Sequence, residues 1–354
     1  MKFKLFNKSD DQLRRMHLFR ECFPETLEDV KSSKEYYLWK FHQSDKPISY
    51  EYAAYEKSDI IGYYAALELI YNYKGKKLRA GLVCDVMTGI KSRGKGVFSK
   101  LGEYSTNKLK DSKIDFTTGY PIRPEVIPGH IKVGWEKLFV LPIYLKIVAS
   151  NSILNNNFYF LKTIINKAIS LVDSIFFLNP IQNQIKCEIV EYNNSDQLNG
   201  LDDLFLKKSE EIVISLNKSQ NFLKWRLNAP KKSYYILKVR NYENEIVGYS
   251  LFTKTVKKGI NCIAIIDIIS LKNNKNIIKQ IIKEVTIFAK KNNFDLLMFM
   301  TNKSTYQNYS LLRFGFIKSN IKFWFIIKNL NTDLFNVLKN EKNWHLSWLH
   351  SDNL

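Results

Sequence analysis

The stretch DVMTGIKSRGKGVFSKLGEY, Asp85 to Tyr104, decides how this chain is read. Its first residues close an apolar, strand-like run that ends near Thr88. A short loop of Lys, Arg and Gly follows, and a helix begins near Gly96, with Val97, Phe98, Leu101, Tyr104 and Leu109 at three- and four-residue spacing. Glycine lets the backbone approach an anion. The first amides of a helix point at it unpaired, with the favourable end of the dipole. Lys91, Arg93 and Lys95 add positive charge at the same place. The pattern is neither GxxxxGK[ST] nor GxGxxG, since no third glycine follows Gly94 and Gly96.

To either side the same plan runs twice along the chain. YYLWKFHQSDKP (Tyr36 to Pro47) matches NFLKWRLNAP (Asn221 to Pro230), with Trp39 and Trp225 186 positions apart. Strand-like runs follow at Tyr50–Tyr55 and Tyr234–Arg240. Next come IIGYYAALELI (Ile60 to Ile70) and IVGYSLFTKTV (Ile246 to Val256), with Gly62 and Gly248 again 186 apart. Arg79–Gly89 and Asn261–Leu271 place Asp85 and Asp267 in register. Two helical stretches and two buried strands, Lys113–Pro121 and Asn293–Thr301, complete the match, and Gly134 and Gly315 stand 181 apart. The spacing predicts a tandem duplication. The second loop, LKNNKNIIKQ (Leu271 to Gln280), has no glycine. Asn273, Asn274 or Asn276 can cap its helix, but no room is made for a diphosphate, so the second copy is expected to keep the fold and lose the anion site.

Between the copies, Asn151 to Asn179 reads as a long apolar-rich helix or helix pair. It carries Lys162 and Lys167 beside a Phe/Ile face, a pattern that suits a membrane surface, while an interdomain helix packing on both cores is the plainer role. The expected organisation is residues 1–150, a helical linker 151–186, and a second domain 187–354.

Composition bounds the function. The 354 residues are 45% hydrophobic and 25% charged, which excludes a disordered chain or a small disulfide scaffold. Lys plus Arg number 54 against 34 Asp plus Glu, a net charge of +20 that favours anionic partners. The positives are spread through both copies and no RNP, helix-turn-helix or zinc pattern occurs, so nucleic acid is not the expected partner. Four scattered cysteines offer neither a metal cluster nor a redox dithiol. The N-terminus lacks a signal-peptide pattern and the most apolar run, Ile260 to Leu271, is too short to cross a bilayer. A cytoplasmic protein without bound metal is expected.

Strand, loop, R-G-x-G, helix, strand and then K-x-G-W resemble the GNAT superfamily of acyl-CoA-dependent N-acyltransferases. The likeness spans roughly residues 1–145 and, more weakly, 187–328. Arg93, Gly94, Lys95, Gly96 and Val97 fit the first five places of its pyrophosphate-binding signature; Phe98 stands where Gly or Ala is usual, as in the Eis-type branch. The resemblance implies an α/β fold of two tandem GNAT-like domains, each a mixed, mostly antiparallel sheet flanked by helices. It also implies acyl transfer from acetyl-CoA, or another acyl-CoA, to an amine by direct attack. By the same likeness, backbone amides at Val86 or Met87 hold the developing oxyanion, and Asp85 and Glu68 are the nearest carboxylates for a base. A structural role suits Asp85 as well, because Asp267 stands without the loop. His130 takes the place of the tyrosine that protonates the leaving thiolate in such proteins, with Tyr120 as the second choice. The Pro-rich stretch Gly119 to His130 offers Arg123 and Glu125 for gripping the acceptor. An amino sugar or sugar nucleotide of a surface polysaccharide is the acceptor by family analogy. Two rivals are a Fem-like transferase using aminoacyl-tRNA and a non-enzymatic binder of nucleic acid or anionic membrane. The tail NWHLSWLHSDNL (Asn343 to Leu354) suggests aromatic packing or a sugar-stacking platform.

Overall fold

A computed structural model describes residues 1–26, 29–43, 47–152, 159–177 and 185–352. The first half runs β1 (Lys2–Leu5), α1 (Gln12–Cys22), α2 (Lys34–His42), β2 (Ser49–Glu56), β3 (Asp59–Tyr73), β4 (Lys76–Thr88), α3 (Val97–Asp111), β5 (Phe116–Gly119), α4 (Ile127–Lys132) and β6 (Glu136–Ile147). Helix α5 (Tyr159–Phe176) links it to β7 (Lys186–Glu191), α6 (Leu201–Glu211), β8 (Ser215–Leu216), α7 (Gln220–Leu227), β9 (Tyr234–Arg240), β10 (Ile246–Lys257) and β11 (Ile260–Ser270). Then follow α8 (Lys275–Lys291), β12 (Leu296–Met300), α9 (Lys303–Asn308), β13 (Ile317–Asn329) and α10 (Phe335–Lys339). The linker stretches 153–158 and 178–184 lie outside the described residues.

The mixed sheet flanked by helices is as the sequence led us to expect. What the sequence concealed is that the two halves share one sheet, ordered β1-β2-β3-β4-β5-β13-β6-β12-β11-β10-β9-β7, with β8 attached to β3. Each half gives its last strand to the other: β13 pairs with β5, and β6 pairs with β12. The two exchanged strands meet antiparallel at the centre. The order reads the same from either edge, as an approximate two-fold axis between β6 and β13 requires.

Local chemistry follows the same symmetry. Ser33 caps α2 by accepting from the Tyr36 amide, and Ser219 caps α7 by accepting from that of Phe222. Gly62 and Gly248 lie under α3 and α8: a Cβ would come 2.8 Å from Val97 and 2.4 Å from Ile277. Only glycine on the strand lets the helix settle this close. Trp39 and Trp225 stack at 5.2 Å, and each indole N–H donates to the other's backbone carbonyl, at 2.8 and 3.1 Å. Residues 186 positions apart thus make reciprocal contacts across the axis.

The aromatic tail is buried: Trp344 and Trp348 sit in the core that joins both halves. Burial leaves neither ring free to serve as a sugar platform.

Candidate active site

Strand β4 pairs in parallel with β5 only through Ala80, Gly81 and Leu82, then continues alone to Thr88. Its other edge, against β3, carries a bulge: Tyr63 faces Met87 and Ala65 faces Cys84, so Asp85 and Val86 together oppose Tyr64. Asp85 has φ +50°. A bulge turns backbone groups out of the ladder, and this one includes Val86, one of the two residues expected to offer oxyanion amides, while the other, Met87, follows it in register with Tyr63. The second half bulges at Ile266, beside Asp267.

Charge holds the bulge in place. The Asp85 carboxylate pairs with the buried Arg15 guanidinium and, at 3.0 Å, with Lys40 Nζ. Lys40 also reaches Asp352 at 3.0 Å. Arg15 lies over the Phe19, Tyr37 and Tyr63 rings. Burial raises the Asp85 carboxyl, but Lys40 and Arg15 outweigh it and leave the group below the usual carboxylate range. Asp85 is therefore a fixed anion, poorly suited to collecting a proton at neutral pH. Cys84, Asp85 and Asp352 bring ligand atoms within 4.8 Å of one another, yet the Lys40 ammonium already bridges the two carboxylates.

Past Thr88 the chain makes one turn at Ile90–Ser92 and exposes Arg93, Gly94, Lys95 and Gly96. Gly94 and Gly96 both hold φ +76°, with open space where a Cβ would stand at Gly94 and only Lys100 Cε, 3.8 Å away, at Gly96. Gly96 is the N-cap of α3, and no side chain caps the helix. Its first amides thus have no partner from the helix itself. Lys91 and Lys95 are exposed beside them; Arg93 bends back toward the Thr88 carbonyl at 3.4 Å. Val97 is buried under the helix. Phe98 turns into the space left by Gly129, where a Cβ would meet its ring at 2.8 Å, and packs edge-on to His130 at 5.0 Å. A large residue at the signature's last place is thereby stored beside α4.

The matching site in the second half is closed by its own side chain. Its loop is two residues shorter between the matching positions Thr88/Ser270, opposite Gly62 and Gly248 in the ladder, and Val97/Ile277, which pack on those glycines. Asn274 accepts from the Asn276 and Ile277 amides at 2.9 and 3.3 Å, capping α8 where α3 stands bare. Glycine with positive φ at an exposed, uncapped helix start fits a diphosphate group; an asparagine cap does not.

The remaining candidates scatter. Glu68 forms a two-point pair with Arg79, at 2.8 and 2.9 Å, and accepts from the Tyr50 hydroxyl. Burial raises its carboxyl, and the Arg79 and Tyr50 hydrogen bonds bring it below the usual value. His130, 7% exposed, is wedged between Phe98 and Trp135, and burial lowers it to about 4. It is neutral at pH 7, so it has no imidazolium proton to give. Tyr120 follows directly on β5, its hydroxyl meeting that of Tyr71, and burial keeps the phenol protonated far above neutrality. Arg123 pairs with Glu25 on the surface and covers Phe23, while Glu125 is exposed in the following turn.

Arg15, Lys40 and Asp352 were not singled out from sequence. One sign was available: a cation follows each of the paired tryptophans, Lys40 after Trp39 and Arg226 after Trp225, and both are buried against the tail.

Residues 7–137 match the family model described as an acetyltransferase (GNAT) domain. No curated protein matches the chain. Among solved structures, a GCN5-related N-acetyltransferase from Anabaena variabilis is 15% identical with a TM-score of 0.65, over 93% of this chain and 73% of that one. A protein from Enterococcus faecalis described as a probable N-acyltransferase is 12% identical with a TM-score of 0.64, over 94% and 74%. Saccharomyces cerevisiae N-myristoyltransferase, solved with myristoyl-CoA, gives 10% and 0.59 over 100% and 85%. At these identities the structures speak for the fold. The match to the acetyltransferase (GNAT) domain model lies within the first half of the chain, and the solved structures share the fold over nearly its whole length.

Proposed function

We propose that the protein transfers an acyl group, acetyl in the simplest case, from acyl-CoA to an amine, with the donor held by the first half alone. The observation that carries this reading is the opposite state of two equivalent helix starts: glycine and bare amides at α3, a closed Asn274 cap at α8. Gly94, Lys95, Gly96, Val97 and Phe98 supply the amides for the diphosphate, and Lys91 and Arg93 the charge around it. Bound acyl-CoA supplies an activated thioester carbonyl. The unpaired edge of β4 at Val86 and Met87 then offers N–H groups to the oxygen on which charge develops. Asp85 fixes the bulge that includes Val86. Tyr120, protonated in the core, suits the donation of a proton to a leaving thiolate better than neutral His130 does.

Phe98 at the last signature place supports an Eis-like relationship, and the asymmetry of the loops supports a degenerate second copy. For the acceptor, a guanidinium and an exposed carboxylate at Arg123 and Glu125, on the loop following β5, suit an amino sugar or sugar nucleotide. The test is thiol release from acetyl-CoA with simple amines, amino sugars and nucleotide-linked amino sugars, beside a parallel assay with charged tRNA. Turnover with acetyl-CoA and an amine is expected. Transfer from charged tRNA with acyl-CoA ignored would sink the reading in favour of the Fem-like alternative.

A further inference from the structure

Helix α5 is docked the wrong way round for a soluble linker. It touches the body through a stripe that includes its polar residues: Asn166 accepts from the Ser150 amide and hydroxyl at 2.8 and 2.9 Å, and Asp173 accepts from Lys146 and Lys290 at 2.5 and 2.7 Å. Farther along, Phe176 closes over Gly315, where a Cβ would meet its ring at 3.2 Å. Its aliphatic residues are left outside. Leu161, Ile164, Ile165, Leu171, Val172 and Ile175 are 36–65% exposed. At 3.6 residues per turn these six fall within an arc of roughly 120° on one side of the helix. Contiguous exposed apolar surface of this kind marks an interaction face.

We infer that this face of α5 seats the protein on an anionic phospholipid surface, lying in the interface with its aliphatic arc among the acyl chains. Charge selects this occupant. The chain carries +20, which repels a second copy of itself and draws it to an anionic bilayer. On α5 the one acid, Asp173, is buried and doubly paired, so the charge bordering the face is the exposed Lys167, while Lys162 lies toward the docked side and donates to the Asn151 carbonyl at 2.8 Å. No described helix is long and apolar enough to cross a membrane, and Asn166, Lys167, Ser170 and Ser174 on the remaining sides restrict α5 to lying on one. The inference is independent of the acyl-transfer reading, since it uses no residue of the anion loop.

Flotation with vesicles of phosphatidylcholine alone, or with one third phosphatidylglycerol, tests it on the full chain. Binding to the anionic vesicles, weakening as salt rises, is the expected result. The triple variant Leu161→Ser, Leu171→Ser, Ile175→Ser is expected to partition at least tenfold less, with an unchanged circular dichroism spectrum. Leu171→Glu alone, at the most exposed of these positions, should weaken binding in the same direction. The inference is overturned if the wild type ignores anionic vesicles, or if both variants bind them as the wild type does. It also fails if sedimentation shows a wild-type dimer that the triple variant dissolves while vesicles stay unbound.

Discussion

Replacing Gly96 by Glu in the anion loop, beside Gly75→Glu in the β3–β4 hairpin, separates ligand binding from folding. Both glycines hold left-handed φ, +76° and +80°. A Cβ at Gly75 meets nothing within 4 Å, and at Gly96 only Lys100 Cε at 3.8 Å. The cost to folding is therefore the strain of a non-glycine residue in that region, about 1–2 kcal/mol at either site, and a fall in Tm of a few degrees. Binding should divide them. A carboxylate at position 96 accepts from the same amides that a diphosphate would use. At about 4 Å from a phosphate it adds repulsion of about 1 kcal/mol in bulk water and about 4 kcal/mol at an effective dielectric of 20. At 1.4 kcal/mol per decade, acetyl-CoA should bind between about fivefold and nearly a thousandfold more weakly to Gly96→Glu, and as in the wild type to Gly75→Glu. Competition binding and thermal unfolding on the same samples read both quantities. Equal affinities in the two variants would refute the placement of the site.

Three further outcomes follow from the geometry. Asn274→Ala removes the cap of α8, so unfolding should show a loss of about 1 kcal/mol while acetyl-CoA affinity stays unchanged; a changed affinity would mean the second half shares the site. His130 lies near 4 in the folded protein against about 6.5 unfolded. The stability it supports is complete above pH 6.5 and lost as pH falls toward 4, about 3 kcal/mol over the window, and His130→Gln should flatten that slope. Asp85→Asn strands Arg15 in the interior and leaves Lys40 with Asp352 alone, and should cost about 3–5 kcal/mol by urea unfolding. Because the folded carboxyl lies below its unfolded value, Asp85's contribution is complete above about pH 4 and is lost only in stronger acid. A loss under 1 kcal/mol would remove Asp85 from the support of the bulge.

Local pattern carried most of the fold into the sequence. Gly62 and Gly248, Trp39 and Trp225, and the spaced apolar residues of α3 and α8 act through neighbours on their own or an adjacent element, so residue type and spacing exposed them. The exchange of β6 and β13 could not be read. Phe139 and Leu141 would alternate against a partner in the same way whether that partner came from their own half or the other, and pairing choice depends on where the whole chain travels. The anion loop was legible because glycine and a helix start are contiguous. The groups that fix Asp85 were not, since Lys40 and Asp352 stand 312 residues apart and their meeting depends on the tail threading the shared core. His130 was legible as a position and misleading as a chemistry, because its protonation is set by Phe98 and Trp135, which only the packing of α4 brings beside it.

The stoichiometry of acetyl-CoA binding by titration calorimetry addresses the two unlike helix starts most directly. One site per chain, abolished or strongly weakened by Gly96→Glu and untouched by Asn274→Ala, is the result this account predicts. Two sites per chain, none, or one that survives Gly96→Glu would contradict it.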